Sequence, residues 1–238
     1  MEVCSGSDQW GLCMNGFQSW LNQLQYEKML EILIAVAAGL ISITVHEVSH
    51  GAAAYMMGDD TAKRSGRLTL NPIRHLDLMG MLCMLVVHFG WAKPVPVNFK
   101  RFRNVRAGTI VTSLAGPVSN ILLCFLSIYL YMVLQLVGIS HTLPLWVGYV
   151  SYFLWYMVIL NATLAMFNLI PIPPLDGSKI LFSFLPEEKF FWVLRYERYG
   201  FLVMAILLYT GILDGPIGWM RDGLIHTLQT ICWWLLPV

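Results

Sequence analysis

The sequence predicts a mainly α protein, a polytopic membrane helix bundle interrupted by a short, membrane-associated re-entrant β-hairpin or strand segment. Three observations predict it. Hydrophobic residues make up 57% of the 238-residue chain and charged residues only 12%, about half the charge of a soluble domain, which is usually about 25%. From Ala107 to Leu175 there is no Asp, Glu, Lys or Arg, a length that suits two helices crossing a hydrocarbon core at about 20 residues each. A shorter apolar run, Leu78 to Trp91, has basic residues on both sides. The positive-inside rule then puts both of its flanks on the cytoplasmic face. The same composition excludes a disordered chain, a collagen-like chain and a disulfide-rich module. A net charge of +1 leaves no basic footprint for nucleic acid.

The elements follow in order. Residues 1–28 read as an N-terminal extension. In it, Trp10, Phe17, Trp20, Leu21 and Leu24 suggest an amphipathic helix lying on the outer surface. The first residues lack the basic n-region of a signal peptide, so insertion is expected through the chain's own spans. Cys4 and Cys13 could pair in an oxidising compartment, whereas Cys83 and Cys124 sit in apolar runs and read as small packing residues. Residues 29–215 read as the core and 216–238 as a C-terminal hydrophobic segment. Between Ile32 and Gly58 the only charge is Glu47, which makes the first span. Lys63, Arg64, Arg67 and Arg74 then precede the 78–91 run, and Lys93, Lys100, Arg101, Arg103 and Arg106 follow it. That run is expected to enter and leave from one face. Trp91 to Asn98, with prolines at 94 and 96, reads as extended chain.

Gly138, Ser140, His141 and Pro144 mark the turn between spans expected over 107–137 and 145–170. Lys179, Lys189, Arg195 and Arg198 return the chain to the cytoplasmic side. Two more apolar runs, 200–213 and 223–238, are separated by an expected Asp214-Gly215-Pro216 turn. The second could span or lie in the interface. The reading is thus of a multi-pass membrane protein, in contact with the lipid bilayer and with its chemistry towards the cytoplasm. Its oligomeric state is not encoded in any pattern here.

Within the first span stands His46-Glu47-Val48-Ser49-His50. Positions i and i+4 share a helix face, so both imidazoles can reach one metal ion, and Glu47 is near enough to take a proton from water there. An acidic residue in mid-span costs about 2.5–3.5 kcal/mol and marks function. A catalytic zinc site needs a third protein ligand. His75, Asp77, His88, His141 and Asp176 are the candidates, with His141 on the outer side. Asp176 follows the break Asn168-Leu169-Ile170-Pro171-Ile172-Pro173-Pro174-Leu175. Those three prolines can unwind the chain and turn the carboxylate inward. A helix-ending loop with a solvated aspartate fits the same spacing.

The motifs HEVSHG, NPIRHLDLMG, GWAKPVPVN, AGPVSN and NLIPIPPLDG, in that order, resemble the site-2 protease family of intramembrane zinc metalloproteases. The resemblance runs from about residue 30 to 215. It is to compact bacterial and archaeal members without a PDZ or nucleotide-sensing domain, which implies a prokaryotic cell membrane. It implies one zinc ion per chain held by His46, His50 and Asp176, with Glu47 as general base. It further implies that Asn120 of the G-P-x-x-N motif assists substrate or transition-state binding, and that the substrates are transmembrane proteins. Asn168 heads the proline-rich motif and is a substrate-binding candidate; an asparagine at a span end also serves as a cap. Where relatives read D-P-x-G, this chain has Asp77-Leu78-Met79-Gly80. Extended Lys93-Pro94-Val95-Pro96-Val97 would place both prolines on one edge. The N–H groups of Lys93, Val95 and Val97 would then lie on the other, an edge suited to pairing with an unwound substrate. A linker whose prolines merely block aggregation is the alternative there. For the whole protein the rival is a membrane metal-ion transporter or metal-binding protein using the same His, Glu and Asp residues.

Overall fold

The computed structural model describes residues 7–77, 80, 93–138 and 145–236, with side chains from residue 28 onward except at 137, 138, 145 and 198. The expected re-entrant run 78–91 apart from Gly80, with His88, His141, Cys4, Cys83 and the side chain of Cys13, lies outside the described residues. So do the side chains of the expected amphipathic face at 10–24, although the backbone from Ser7 is helical. The chain divides into two compact units, Met1–Ala37 and Ala38–Val238. The first is helical over its described part, as the opening of helix α1 (Ser7–Met57). The second holds everything that follows.

Helix α1 ends at Gly58, whose φ of 110° few other residues adopt. A four-residue helix α2 (Thr61–Arg64) comes next, then a 3-10 turn at Pro72–His75 capped by Asn71, and another at Phe99–Arg101 capped by Asn98. Helix α3 (Val105–Gly138) starts where the Asn104 side chain accepts the Ala107 N–H at 3.0 Å, an N-cap that satisfies an otherwise unpaired donor. Helix α4 (Leu145–Asn168) returns antiparallel to it, Asn120 meeting Asn161 and Cys124 meeting the Val158 carbonyl. Short helices α5 (Asp176–Phe182) and α6 (Glu187–Arg195) follow. In α6, Glu187 and Glu188 lie at the N-terminus and Arg195 at the C-terminus, each sign where the helix dipole favours it. Helix α7 (Glu197–Tyr209) and helix α8 (Asp214–Leu235) complete the chain.

Helices α3 and α4 pack along their length, and both meet α8. Cys124 and Ile128 of α3, Val158 and Ala162 of α4, and Leu228 and Cys232 of α8 form that core. A smaller cluster joins Leu175 to Met204, Leu213 and Ile217. Among the described residues, three helices are long and apolar enough to cross a membrane: Lys28–Met57, Val105–Leu136 and Trp146–Asn168. Their most apolar windows are only 22–28% buried in protein, so most of that apolar surface faces outward. Leu122, Leu126, Trp146 and Tyr149 are among the exposed residues. Water would not tolerate such a surface, and lipid does. This is a membrane protein.

Two expectations change. Asp214-Gly215-Pro216 is not a turn but the first turn of α8, where proline costs nothing because the first N–H groups of a helix are unpaired anyway. The turn sits just before it, at Gly211 with φ 68°. Helices α7 and α8 meet at 86°, a bent pair whose length and composition suit a broken span or a re-entrant loop. The second change concerns the expected strand. Among the described residues no β-strand forms, and 93–98 is neither helix nor ladder. Its backbone groups have partners other than a second strand. The Lys93 N–H donates to the His75 carbonyl at 2.9 Å. The buried guanidinium of Arg67 donates to the carbonyls of Lys93 (2.6 Å) and Pro94 (3.3 Å), and also to that of Arg74. The Asn98 N–H donates to the buried Asp59 carboxylate at 2.6 Å. Arg67 and Asp59, both from the segment just after α1, thus fasten the two ends of 93–98.

Candidate metal centre

Apolar surroundings and the absence of proline keep α1 helical through residue 57, so His46 and His50 fall one turn apart on one face. Both are buried, as is Asp176, at 7–8% exposure. Asp176 arrives from the proline-rich break: the chain turns after Asn168, passes a cis Pro173–Pro174 bond and re-enters helix at Asp176. Gly177 makes that re-entry possible. A Cβ there would collide with the carbonyls of Leu169 and Ile170. The aspartate therefore points inward rather than to water.

His46 Nε2 and His50 Nε2 stand 3.0 Å apart, and Asp176 Oδ2 lies 3.3 Å from the first and 3.0 Å from the second. Donors about 2.0–2.1 Å from a tetrahedral ion are separated by roughly 3.3 Å, so the three atoms fit one small cation. Donor chemistry agrees. His46 Nδ1 faces Asn120 Oδ1 at 2.6 Å and His50 Nδ1 faces the Thr112 carbonyl at 2.7 Å. Both partners only accept, so each Nδ1 carries a hydrogen, and a ring in its neutral form turns the Nε2 lone pair inward. Three electron-rich atoms at this spacing stay together only with a proton or a cation between them. Among the described residues this is the one group of three suited to a metal ion.

Lys179, one helical turn after Asp176, holds the other carboxylate oxygen, Oδ1, at 3.3 Å. Glu197 of α7 lies 3.7 Å behind the ammonium. Burial works against the Asp176 carboxylate, and the Lys179 ammonium opposes that cost. Burial likewise opposes the Lys179 ammonium, and Asp176 with Glu197 raises its pKa above the usual lysine value despite that.

Glu47 lies on the wall of a cavity of about 830 Å³ that also exposes His46, His50, Asp176, Val97 and Asn168. Its Oε2 accepts the Val95 N–H at 2.8 Å. Two of the three donors expected on the free edge of 93–97 are therefore engaged within the chain, Lys93 by His75 and Val95 by Glu47. Asn168 lies at the cavity, its amide donating to the Leu164 carbonyl at 2.9 Å. Asn120 lies elsewhere. It is fully buried behind His46, with its amide nitrogen on Asn161 Oδ1 at 2.7 Å. Of the other ligand candidates, His75 is buried against the Thr69 carbonyl at 2.8 Å and Asp77 accepts the Gly80 N–H at 3.1 Å; neither joins the cluster.

Sequence reasoning passed over Gly116, although it sits in the AGPVSN motif beside a mid-helix proline. A Cβ at Gly116 would overlap both imidazoles. Pro117 lacks the N–H that would bond the Ser113 carbonyl, which loosens this turn of α3. Gly116→Ala is expected to leave helix content intact and to weaken metal affinity by about 10–100-fold, the size of effects from displaced ligand supports. Competition against a chromophoric chelator checks it, and unchanged affinity contradicts the close approach.

The sequence pattern of Peptidase family M50 matches residues 135–210. Over 172 residues the chain is 42% identical to "Putative zinc metalloprotease YwhC" of Bacillus subtilis, covering 72% of this chain and 78% of that protein. It is 29% identical over 187 residues to "Putative zinc metalloprotease Rip2" of Mycolicibacterium smegmatis, covering 76% and 69%. With "Putative zinc metalloprotease MJ0611" of Methanocaldococcus jannaschii it shares 29% over 149 residues, covering 63% and 68%. No solved structure matches. A buried His-His-Asp cluster built on apolar helices, together with a close match over most of both chains, places the protein by descent as well as by chemistry: the chain belongs to peptidase family M50.

Proposed function

We propose that the chain is an intramembrane zinc metalloprotease that cuts substrate proteins within or next to their transmembrane segments. The observation that carries this reading is the place of the cluster. Two of its three members, with Glu47 between them, stand on a helix apolar enough to cross a bilayer. His46, His50 and Asp176 would hold one zinc ion. When bound, zinc supplies Lewis acidity, acidifying water and polarising a peptide carbonyl.

The chain's own residues do the rest. Glu47 takes the proton of the attacking water and delivers it to the leaving amine nitrogen. Asn120 acts through His46 rather than on substrate. Val97 and Asn168, on the cavity wall, meet the substrate, while Lys93 and Val95 hold the 93–97 segment in place. A substrate helix hides its peptide bonds, so it unwinds before entering, and segments with helix-weakening residues are preferred. Residues 29–215 carry this activity. The basic flanks at 63–74 and 93–106 support a site towards the cytoplasm, and the bacterial and archaeal relatives support a prokaryotic cell membrane. Cleavage of a panel of transmembrane substrates by the purified chain in detergent tests the proposal. A strong chelator is expected to abolish cleavage and added zinc to restore it. Equal cleavage with and without chelator overturns it.

A further inference from the structure

We propose that Asn161, in mid-α4, is a positioning residue of the metal site that fixes the tautomer of His46 from two side chains away. This role rests on the reading of His46 as a zinc ligand. It follows the direction of each hydrogen bond. The Met157 carbonyl can only accept, so the amide nitrogen of Asn161 faces it at 2.8 Å. The same nitrogen donates to Ser42 Oγ at 2.8 Å, whose own hydrogen goes to the Ala38 carbonyl at 2.7 Å. Asn161 Oδ1 is therefore left facing Asn120, which must present its nitrogen, at 2.7 Å. That nitrogen has the Ser42 carbonyl at 3.4 Å as a second acceptor. Asn120 Oδ1 is in turn left for His46, and Nδ1 must carry the hydrogen across 2.6 Å. His46 Nε2 then offers its lone pair to the ion.

Every link is decided by the one before it, and the first is decided by a backbone carbonyl. Ser42, Asn120 and Asn161 are each 0% exposed, so no bulk water can stand in for a missing partner. A flipped Asn161 would set its oxygen against the Met157 carbonyl, and a flipped Asn120 would set amide hydrogens against His46 Nδ1–H. His50 needs no such chain, because the Thr112 carbonyl holds it directly. Asn161-Ala162-Thr163 has the form of a glycosylation acceptor, but its asparagine is sealed between helices and serves the site from within.

The test uses the full chain in detergent and measures zinc affinity by competition with a chromophoric chelator, with helix content and melting read by circular dichroism. Asn161→Leu, of similar shape, is expected to weaken zinc binding by about 10–100-fold. Ser42→Ala keeps the Met157 anchor and should stay within about threefold of wild type, the size of one ordinary hydrogen bond. The decisive variant is Asn161→Leu with Asn120→Asp. Both aspartate oxygens accept, so His46 Nδ1–H regains its partner whichever way residue 120 turns, and affinity should recover. Should Asn161→Leu fail to fold, Asn161→Ala takes its place in the same comparison. Wild-type affinity in the single Asn161 variant, or loss that Asn120→Asp does not rescue, overturns the proposal. A wild-type chain that binds no zinc overturns the ligand reading beneath it instead, and the proposal falls with that reading.

Discussion

Glu47→Gln is expected to cut proteolysis by about 10²–10⁴-fold while zinc stays at one per chain. The glutamine keeps the size of the side chain, and its amide oxygen can still accept the Val95 N–H, which now reaches Glu47 Oε2 at 2.8 Å. The three cluster atoms do not include Glu47, so the metal has no reason to leave. What the amide cannot do is take a proton from water and hand it on. Rate measurement on a transmembrane substrate, paired with metal analysis of the same preparation, checks both halves. A variant keeping more than about one hundredth of the wild-type rate contradicts a general-base role of ordinary size.

Asp176→Ala is expected to lose the metal and, with it, all measurable cleavage. Two histidines alone make a poor zinc site. The loss is compounded by what remains. Lys179 Nζ now lies 3.3 Å from the carboxylate, and with the aspartate gone its positive charge faces the place a cation must occupy. Glu197, 3.7 Å behind, offsets only part of that charge. Purified variant protein should therefore carry well under one zinc per chain even when supplied with excess metal. Full occupancy would move the third ligand to another residue.

Much of the site was legible because its signals are local. The spacing of His46 and His50 needs only the pitch of a helix, and Glu47 stands out because no other charge interrupts its span. Asp176 was readable less directly, from three prolines that cannot continue a helix. Gly116 left a trace of the same local kind, a glycine before a mid-helix proline, but nothing in the sequence says that two imidazoles lie against it. The partners of the ligands were not legible at all. Asn120 and Asn161 meet because α3 and α4 pack in one particular register, and registry across a 41-residue separation is a property of the packed pair. The engagement of the Val95 N–H was hidden for a related reason. Alternating prolines report which edge of a segment lacks donors, not what the remaining donors touch. The start of α8 was misread because Asp-Gly-Pro suits a turn and a helix N-terminus equally well.

The contact between Val95 and Glu47 is made by a backbone group, and that shapes how this family member can change over time. Any of nineteen amino acids at position 95 would offer the same N–H to the carboxylate, and only proline would withdraw it. The side chain there is buried close to Gly51, so packing limits its size, but a change of apolar residue that fits would leave the partner of Glu47 in place. Inheritance of the contact depends instead on Arg67 and Asp59, which tie down the ends of the 93–98 segment. Packing at position 95 and the placing of its N–H beside Glu47 are thereby assigned to different residues.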